Sequence, residues 1–240
     1  MLDKHAKNVL VVIPAYNEQD AIGEVVRQVV EHGFRALVVN DGSTDHTAKR
    51  ALAAGADVVN LSGNAGVGVA IRTAFAEAID RGFDAAVQCD ADGQHPVAEI
   101  AALVGASRGS DMVVGSRFLS SANTMRMGRV RRVASRVLAW SASKSCATRI
   151  TDPTSGFRLI RQPLLGELAI KLPSSYLSDT YEVLVAAGRA GYVVKEIPAP
   201  FADRTTGVAS TGALASSLHM MRCLLRVALR REMKLQRPGR

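Results

Sequence analysis

The chain has 240 residues, of which 48% are hydrophobic, so it can bury the core of one α/β domain, with or without a C-terminal extension. No apolar run approaches the roughly 18 residues of a membrane span, and we expect no N-terminal secretory signal. The net charge is +8, and the three scattered cysteines predict reduced thiols in a cytoplasmic protein, which excludes a disulfide framework or a zinc site.

The first half of the chain predicts alternating strands and helices. Apolar runs predict strands at 9–13, 36–39, 57–61, 83–89 and 112–114. Three helices are predicted. The first covers 18–31, the second is capped by Ser43 or Asp45 and runs to residue 54, and the third covers 67–80. This alternation predicts a mainly parallel, Rossmann-like sheet with helices on both faces, whose ligands bind where the strands end.

The second half is less regular. A basic amphipathic helix is predicted over 130–147, followed by a polar turn at 151–156, a strand near 157–160, a helix over 179–189 and a late strand over 192–198. A second basic amphipathic helix is predicted over 214–229 from the helical spacing of its leucines. We therefore expect an α/β domain over residues 1–210 and a basic C-terminal helix and tail over residues 211–240.

Basic residues concentrate in this second half. Eight lie between Met112 and Thr151 with no acidic residue among them, and seven more lie between Thr205 and Arg240 against Glu232 alone. Such a surface suits a phosphate-rich partner or an anionic membrane. Nucleic acid is disfavoured because the chain has neither a pattern of stacking aromatic residues nor a known binding motif.

Two carboxylates, Asp90 and Asp92, follow the apolar run 85–87 and lie one residue apart. At the end of a buried strand both can meet one divalent cation, and Mg²⁺ and Mn²⁺ usually share such oxygen ligands with substrate phosphates. A solvated acidic turn is the alternative. The Gly-Gln-His-Pro that follows at 93–96 favours the metal-bound diphosphate.

Polar loops also follow the first two strands. Pro-Ala-Tyr-Asn-Glu occupies 14–18 and Asn-Asp-Gly-Ser-Thr-Asp occupies 40–45, at the same sheet edge as Asp90. A carboxylate there can accept hydrogen bonds from a base or a ribose, although an Asx-turn explains Asp45 equally well and Asp41 less well. The glycine loop at 64–70 lacks the Lys-Ser/Thr of a phosphate loop, so a tight turn explains it as well as phosphate binding does.

Six motifs, taken in order, resemble the family 2 glycosyltransferases and, within them, the branch that includes dolichol-phosphate mannosyltransferase. They are the polar loops at 14–18 and 40–45, Asp-Ala-Asp-Gly-Gln-His at 90–95, Gly-Ser-Arg-Phe at 115–118, Asp-Pro-Thr-Ser-Gly-Phe-Arg at 152–158 and Glu-Ile-Pro-Ala-Pro-Phe-x-x-Arg at 196–204. The resemblance implies a GT-A fold, a nucleotide-sugar donor and a divalent cation, Mg²⁺ or Mn²⁺.

The resemblance also implies roles for individual residues. The nucleoside would contact Pro14, Ala15, Tyr16, Glu18, Val39 and Asp41. The metal would lie at Asp90, Asp92 and Gln94, with Ala91 beside the nucleotide sugar. Arg117 and Arg204 would face phosphate oxygens, which a guanidinium binds in a fixed fork. The acceptor side would hold Asp152, Ser155, Asp179, Glu182 and Arg131.

Catalysis is expected from Asp92, Asp90, Arg117 and Arg204. Three alternatives stay open: a surface ion pair for Arg117, a purely structural turn at Asp152, and a pairing of Glu182 with a basic residue. The sugar also stays open, because the family pattern after the late arginine ends in Ser-Lys and this chain has Ala209 and Ser210 there. UDP-glucose, UDP-N-acetylglucosamine and GDP-mannose are all possible donors.

We expect an inverting transfer of the sugar to a polyprenyl phosphate at the inner face of the membrane. A lipid phosphate is already anionic near neutral pH and needs no strong base. A hydroxyl acceptor needs a carboxylate base such as Asp90, Asp152 or Asp179. The basic stretch 126–149 would hold the head group, while helix 214–229 lies on the anionic membrane surface or packs on the protein or a small membrane-protein partner.

Other functions remain as alternatives. The main one is a family 2 enzyme that glycosylates a saccharide hydroxyl in cell-envelope polysaccharide synthesis. A sugar nucleotidyltransferase usually has an early glycine-rich loop with arginine, which is missing after the first strand. A non-catalytic nucleotide-sugar-binding subunit is disfavoured because the expected metal and phosphate residues are all intact.

Overall fold

Seven strands form one sheet in the described part of the chain, one at each place where the sequence predicts a strand. The structure is a computed structural model that describes residues 8–119, 129–172, 178–202, 227, 229 and 233–238, without the side chains of 129–131, 178 and 179. The strands are β1 (Val9–Ala15), β2 (Arg35–Asn40), β3 (Asp57–Asn60), β4 (Ala85–Gln88), β5 (Met112–Ser116), β6 (Arg158–Arg161) and β7 (Val194–Pro198). Their order across the sheet is β3-β2-β1-β4-β6-β5-β7.

Strand β6 runs antiparallel to both of its neighbours, whereas each other pairing in the described sheet is parallel. The parallel strands β1, β2 and β4 end at the same edge, which we call the carboxyl edge. Because β6 is reversed, its first residue, Arg158, pairs with Gln88 of β4 and with Val114 of β5. The turn that precedes β6 therefore also reaches the carboxyl edge.

Seven α-helices are present in the described residues, and a short 3-10 helix (Val97–Glu99) precedes the fourth. The α-helices are α1 (Ile22–Glu31), α2 (Thr47–Ala53), α3 (Val67–Asp80), α4 (Ile100–Ala106), α5 (Arg129–Cys146), α6 (Leu164–Lys171) and α7 (Ser178–Arg189). Helices α4 and α6 are not predicted from the sequence, since both are short, and α4 is almost wholly apolar and so lacks the polar face that marks a helix. The predicted helix over 214–229 and most of the predicted C-terminal unit 211–240 lie outside the described residues.

Two helix starts differ from the prediction. Helix α1 begins at Ile22 and not at Glu18, and the Glu18 N–H donates instead, at 2.9 Å, to Thr47 Oγ1 at the start of α2. The N-cap residue of α2 is His46, and neither Ser43 nor Asp45 occupies that position. Both differences arise where the first two loops bind each other.

The five inner strands of the sheet are almost wholly buried, as the continuous apolar runs predict, whereas the edge strands β3 and β7 are partly exposed. Successive residues of β1 point to opposite sides, so that Val11 and Val12 join different hydrophobic clusters. One cluster includes residues of α3, α5, α6 and α7, and the other includes residues of α1, α2 and α4. Among the described residues, no helix is long and apolar enough to cross a membrane.

The packing between β5 and the turn before β6 leaves no room for a side chain at Gly115. A Cβ there would lie 2.5 Å from Phe157 Cδ1 and 3.1 Å from the Ala199 Cβ. We expect Gly115→Ala to lower the free energy of unfolding by about 1–3 kcal/mol in urea denaturation, because overpacking forces the core to shift.

A matched control is Gly105→Ala in α4, where a Cβ would meet nothing within 4 Å. This substitution should leave stability unchanged or raise it by up to about 1 kcal/mol, because alanine favours a helix over glycine. Equal effects of the two substitutions would contradict the close packing at Gly115.

Candidate active site

The loops after β1 and β2 are joined by hydrogen bonds at the carboxyl edge. The Asn17 N–H donates to Ser43 Oγ and the Thr44 N–H donates to Asn17 Oδ1, both at 2.9 Å. Asn17 has a φ of 54°, in the left-handed region that asparagine tolerates better than most residues. The two loops therefore form one surface, on which Tyr16 is exposed. Ala15 and Val39, in the strands that lead into the loops, are buried.

The two aspartates of the second loop hold different parts of this surface. Asp45 accepts the N–H groups of Gln19 at 3.2 Å and Thr47 at 2.9 Å, which is the Asx-turn anticipated for it. Burial alone would raise the pKa of Asp45, but the hydrogen bond from the Thr47 hydroxyl, together with those from the N–H groups, outweighs burial and lowers the pKa. Asp41 instead holds the glycine loop, since its two oxygens accept the N–H groups of Ala65 at 2.7 Å and Gly66 at 2.9 Å.

The Asp90–Asp92 turn lies at the end of β4. Asp92 is only 8% exposed, and its Oδ1 accepts the Gln94 N–H at 3.0 Å, whereas the side chain of Asp90 is 44% exposed. Cys89 lies between the end of β4 and Asp90. Its burial, and then the charges of Asp90 and Asp92, raise the pKa of its thiol well above the usual value. Cys89 is therefore a protonated thiol near neutral pH.

The donor set of this turn fits Mg²⁺ or Mn²⁺. Asp90, Asp92 and Gln94 offer hard oxygen atoms, which these cations prefer. Within the described ranges, no group of three or more His, Cys, Asp or Glu side chains is arranged to hold a metal. Mg²⁺ is commonly bound by only one or two protein carboxylates, and substrate phosphates and water molecules supply its other ligands.

Arg117 forms a bidentate ion pair with Asp152. Its Nε and Nη2 donate to the two carboxylate oxygens at 2.6 and 2.7 Å, and its backbone N–H donates to Oδ2 at 3.1 Å. Asp152 is fully buried and the Arg117 side chain is 18% exposed, so the pair is not the surface ion pair considered above. Burial would lower the pKa of Arg117, but the bond to Asp152 and the nearby charges of Asp152 and Asp90 raise it.

A second carboxylate, Glu196 of β7, supports the backbone next to this pair. Its oxygens accept the Asp152 N–H at 2.7 Å and both the N–H and the hydroxyl of Thr151 at 2.8 Å. Burial, followed by the charge of Asp152, raises the pKa of Glu196 despite these hydrogen bonds. Glu196 thus fixes the position from which Asp152 holds Arg117.

The rest of the turn before β6 packs against the Asp90–Asp92 turn. Ser155 Oγ donates to the Gly115 carbonyl at 2.6 Å, and a Cβ built on Gly156 would lie 3.6 Å from Asp90 Oδ1. Arg158, only 1% exposed, donates to the carbonyls of Pro153, Ser155 and Thr180 at 2.6–3.0 Å. Arg158 thereby links the turn to α7, where Glu182 is fully buried.

Most of the predicted site residues that the structure describes lie at the carboxyl edge of the sheet. Four loops meet there, namely those that carry Pro14–Glu18, Asp41, Asp90–Gln94 and Asp152–Ser155, with Arg117 between the last two. Arg204 and the side chains of Asp179 and Arg131 lie outside the described residues. The sequence analysis gives no role to His95, Arg158 or Glu196, although all three belong to the quoted motifs, because their partners cannot be read from spacing.

Known proteins match this chain over most of its length. A sequence model of the family described as glycosyl transferase family 2 matches residues 10–169. Polyprenol monophosphomannose synthase from Mycolicibacterium smegmatis is 30% identical over 210 residues, which cover 83% of this chain and 79% of that protein. The UDP-N-acetylglucosamine--dolichyl-phosphate N-acetylglucosaminyltransferase of Methanococcus voltae is 28% identical over 217 residues, which cover 80% of this chain and 84% of that protein.

A solved structure is similar in fold. The crystal structure of glucosyl-3-phosphoglycerate synthase from Mycobacterium tuberculosis in complex with Mg²⁺ and UDP has a TM-score of 0.70. It is 24% identical, and the match covers 92% of this chain and 79% of that one. At this identity the likeness concerns the fold alone, and it confirms the predicted GT-A-type α/β fold.

The ion pair between Arg117 and Asp152 should stabilise the fold. We expect Asp152→Asn to lower the free energy of unfolding by about 3–5 kcal/mol, because it leaves a largely buried guanidinium without its counter-charge. Asp152→Asn/Arg117→Met should cost less than the sum of the two single substitutions when measured by urea denaturation.

The control is Glu24→Gln, which removes the exposed ion pair between Glu24 and Arg27 on α1. It should have little effect, since exposed pairs contribute little to stability. Additive effects of Asp152→Asn and Arg117→Met would mean that the buried pair contributes nothing as a pair.

Proposed function

The chain belongs to glycosyl transferase family 2, and we propose that it moves a sugar from a UDP- or GDP-sugar to the phosphate of a polyprenyl lipid. The transfer would depend on Mg²⁺ or Mn²⁺ and invert the anomeric carbon. The observation that carries this proposal is the meeting of the Asp90–Asp92 turn and the Arg117–Asp152 pair at the carboxyl edge. A cation site and a fixed guanidinium would then flank one diphosphate.

On the donor side, the joined loops after β1 and β2 would hold the nucleoside. Tyr16 is exposed there, and Asp41 fixes the glycine loop through two backbone amides. A surface held by internal hydrogen bonds is positioned before the nucleotide arrives, which lowers the entropy lost on binding. Pro14 and Glu18 are partly exposed and would belong to the same surface, whereas Ala15 and Val39 are buried and would only support it.

Asp90, Asp92 and Gln94 would hold the divalent cation. When bound, it would stabilise the negative charge that develops on the departing nucleoside diphosphate. Arg117 would add a second positive charge, and its bond to Asp152 would keep the guanidinium aimed without reorganisation during the reaction. Arg204 would contribute in the same way.

The acceptor side favours a phosphate over a hydroxyl. Asp152 is fully buried and both of its oxygens bind Arg117, so in this arrangement it holds a guanidinium and does not face an acceptor. A lipid phosphate needs no base. Relatives named for polyprenyl and dolichyl phosphates support this acceptor. A saccharide hydroxyl is the second candidate; the partly exposed Asp90 would then act as its base and could not also be a metal ligand.

One face of α5 supports attachment to the inner surface of the membrane. Val133, Val137 and Trp140 are exposed at helical spacing, with exposed fractions of 60%, 44% and 61%. Arg132 and Arg136 flank them, and Lys144 Nζ lies 4.3 Å from the centroid of the Trp140 ring. Apolar and basic side chains together on one helix suit an anionic bilayer surface. Helix 214–229 and a small membrane-protein partner stay predictions.

The main experiment mixes the full chain with Mn²⁺ or Mg²⁺, a panel of nucleotide sugars and a short polyprenyl phosphate. Mass spectrometry should detect a glycolipid from one donor, and EDTA should abolish it. Asp92→Asn should lower the rate by at least about 100-fold, as expected when a group that stabilises transition-state charge is lost.

The control for this assay is Asp57→Asn. Asp57 begins β3 at the opposite edge of the sheet and pairs with Arg35 and Arg81, so its substitution should leave transfer unchanged. Wild-type rates in Asp92→Asn, or transfer that resists EDTA, would contradict the metal site. Transfer to saccharides and not to the lipid would select the second candidate.

Trp140 is the only tryptophan of the chain, so its fluorescence reports on the α5 face. Vesicles that contain phosphatidylglycerol should shift its emission to shorter wavelength. Arg132→Ala/Arg136→Ala should weaken vesicle binding by about thirtyfold, since each basic residue near an anionic surface contributes about 1 kcal/mol.

Arg27→Ala/Lys49→Ala serves as the control, because it removes two charges from α1 and α2 on the other face of the sheet. It should bind vesicles like wild type. An unchanged Trp140 emission with anionic vesicles would contradict attachment through α5.

A further inference from the structure

Residues 233–237, which we call the strap, lie against the α/β domain. Leu235 is only 8% exposed and joins the hydrophobic cluster that contains residues of α3, α5, α6 and α7, and Met233 packs against the same cluster. The strap belongs to the C-terminal unit that the sequence predicts over 211–240. This part of that unit is therefore packed onto the domain.

Arg237 anchors the strap at the edge of the sheet opposite the carboxyl edge. Its Nη1 donates to the Gly191 carbonyl at 2.9 Å, and its Nη2 lies 3.3 Å from Asp111 Oδ2. The guanidinium carbon lies 5.8 Å from the centroid of the Tyr192 ring. Asp111 directly precedes β5, whereas Gly191 and Tyr192 precede β7. One arginine thus ties the strap to the beginnings of two strands.

The strap and the chain just before it bridge two helix pairs. Helix α3 packs against α6, and α5 packs against α7. The Gln236 N–H donates to both carboxylate oxygens of Glu167 in α6, at 3.0 and 2.9 Å. The carbonyl of the buried Val227 accepts Arg189 Nη1 from the last residue of α7 at 3.2 Å. The same stretch of chain therefore holds both pairs.

We infer that the strap is a local fastening device, anchored by Arg237, that opens on its own and then frees the C-terminal end of α7. Residues 233–237 belong to no helix or strand in the described chain, so few backbone hydrogen bonds have to break when they leave the domain. Segments of this kind open with a lower free energy than the strands of a buried core. The inference goes beyond the proposed function, since neither donor, acceptor nor metal enters it.

Helix α7 connects the strap to the candidate site. In the first turn of α7, the Thr180 carbonyl accepts Arg158 Nη1 at 2.7 Å, and Arg158 Nε donates to the Ser155 carbonyl at 2.6 Å. The opposite end of α7 is the one that Val227 and the strap hold. A device at the far edge of the sheet is thus linked, through one helix, to the turn that carries Asp152.

The competing explanation is a strap that unfolds only together with the whole domain. In that case residues 233–237 are an ordinary part of one cooperative core. The two explanations differ in where amide exchange changes when the anchor is removed. Local opening changes exchange in the strap and its neighbours alone, whereas global unfolding changes it in every protected segment.

The test is hydrogen–deuterium exchange of the purified full chain, measured by mass spectrometry. We expect Arg237→Met to speed exchange in the strap and in residues 184–193 by at least about tenfold, because hydrogen bonds of a charged group are lost. Strands β1, β2 and β4 should exchange as in wild type. Arg237→Lys should be intermediate, since lysine keeps the charge but lacks the planar fork that reaches two acceptors.

Arg35→Met is the matched control. Arg35 begins β2 at the same edge of the sheet, pairs with Asp57 at 3.1 Å and places its guanidinium carbon 5.4 Å from the centroid of the Phe83 ring. It therefore has the same kinds of contact as Arg237 but belongs to a strand. This substitution should leave exchange in the strap and in residues 184–193 unchanged.

Three results would overturn the inference. An equal rise of exchange in all strands of Arg237→Met would mean that the strap opens only with the whole domain. Unchanged exchange in Arg237→Met, or a wild-type strap that exchanges as fast as an unprotected peptide, would mean that Arg237 anchors nothing. An equal effect of Arg35→Met on residues 184–193 would mean that any lost ion pair at this edge has the same consequence.

Discussion

A fully buried carboxylate is costly to place in a protein interior, and Asp152 is tolerated because three donors of Arg117 converge on it. This ion pair ties the segment after β5 to the turn before β6. Glu196 fixes the backbone of that turn from β7, so three separate strands set the direction of one guanidinium. The arginine beside the proposed diphosphate is therefore part of the fold and not a mobile surface side chain.

The reversal of β6 explains why this pair lies near the aspartates of β4. If β6 were parallel, the turn at 152–156 would lie at the opposite edge, away from Asp90. Because β6 is inserted between β4 and β5, Arg158 pairs with both neighbours and the turn contacts Asp90. The proposed donor half of the site would thus be built on parallel strands, and the proposed acceptor half around one antiparallel strand.

Local patterns and long-range contacts differ in how far the sequence predicts them. The first five strands of the described sheet follow from short apolar runs, β6 and β7 are also predicted from the sequence, and the motifs point to the correct edge of the sheet. The position of β6, the Arg117–Asp152 pair and the support from Glu196 do not follow, since their partners lie 35 and 44 residues apart. His95 is missed for another reason: its partner, the Asp90 N–H, is five residues away, but the contact depends on packing by Phe157 and Phe201.

The bond formed in the product tests the central claim most directly. Nuclear magnetic resonance of the isolated glycolipid would report both the atom that receives the sugar and the configuration of the anomeric carbon. The account predicts a sugar bonded through its anomeric oxygen to the polyprenyl phosphorus, with the configuration opposite to that in the nucleotide sugar. A sugar bonded to a saccharide hydroxyl, or a retained configuration, would contradict it.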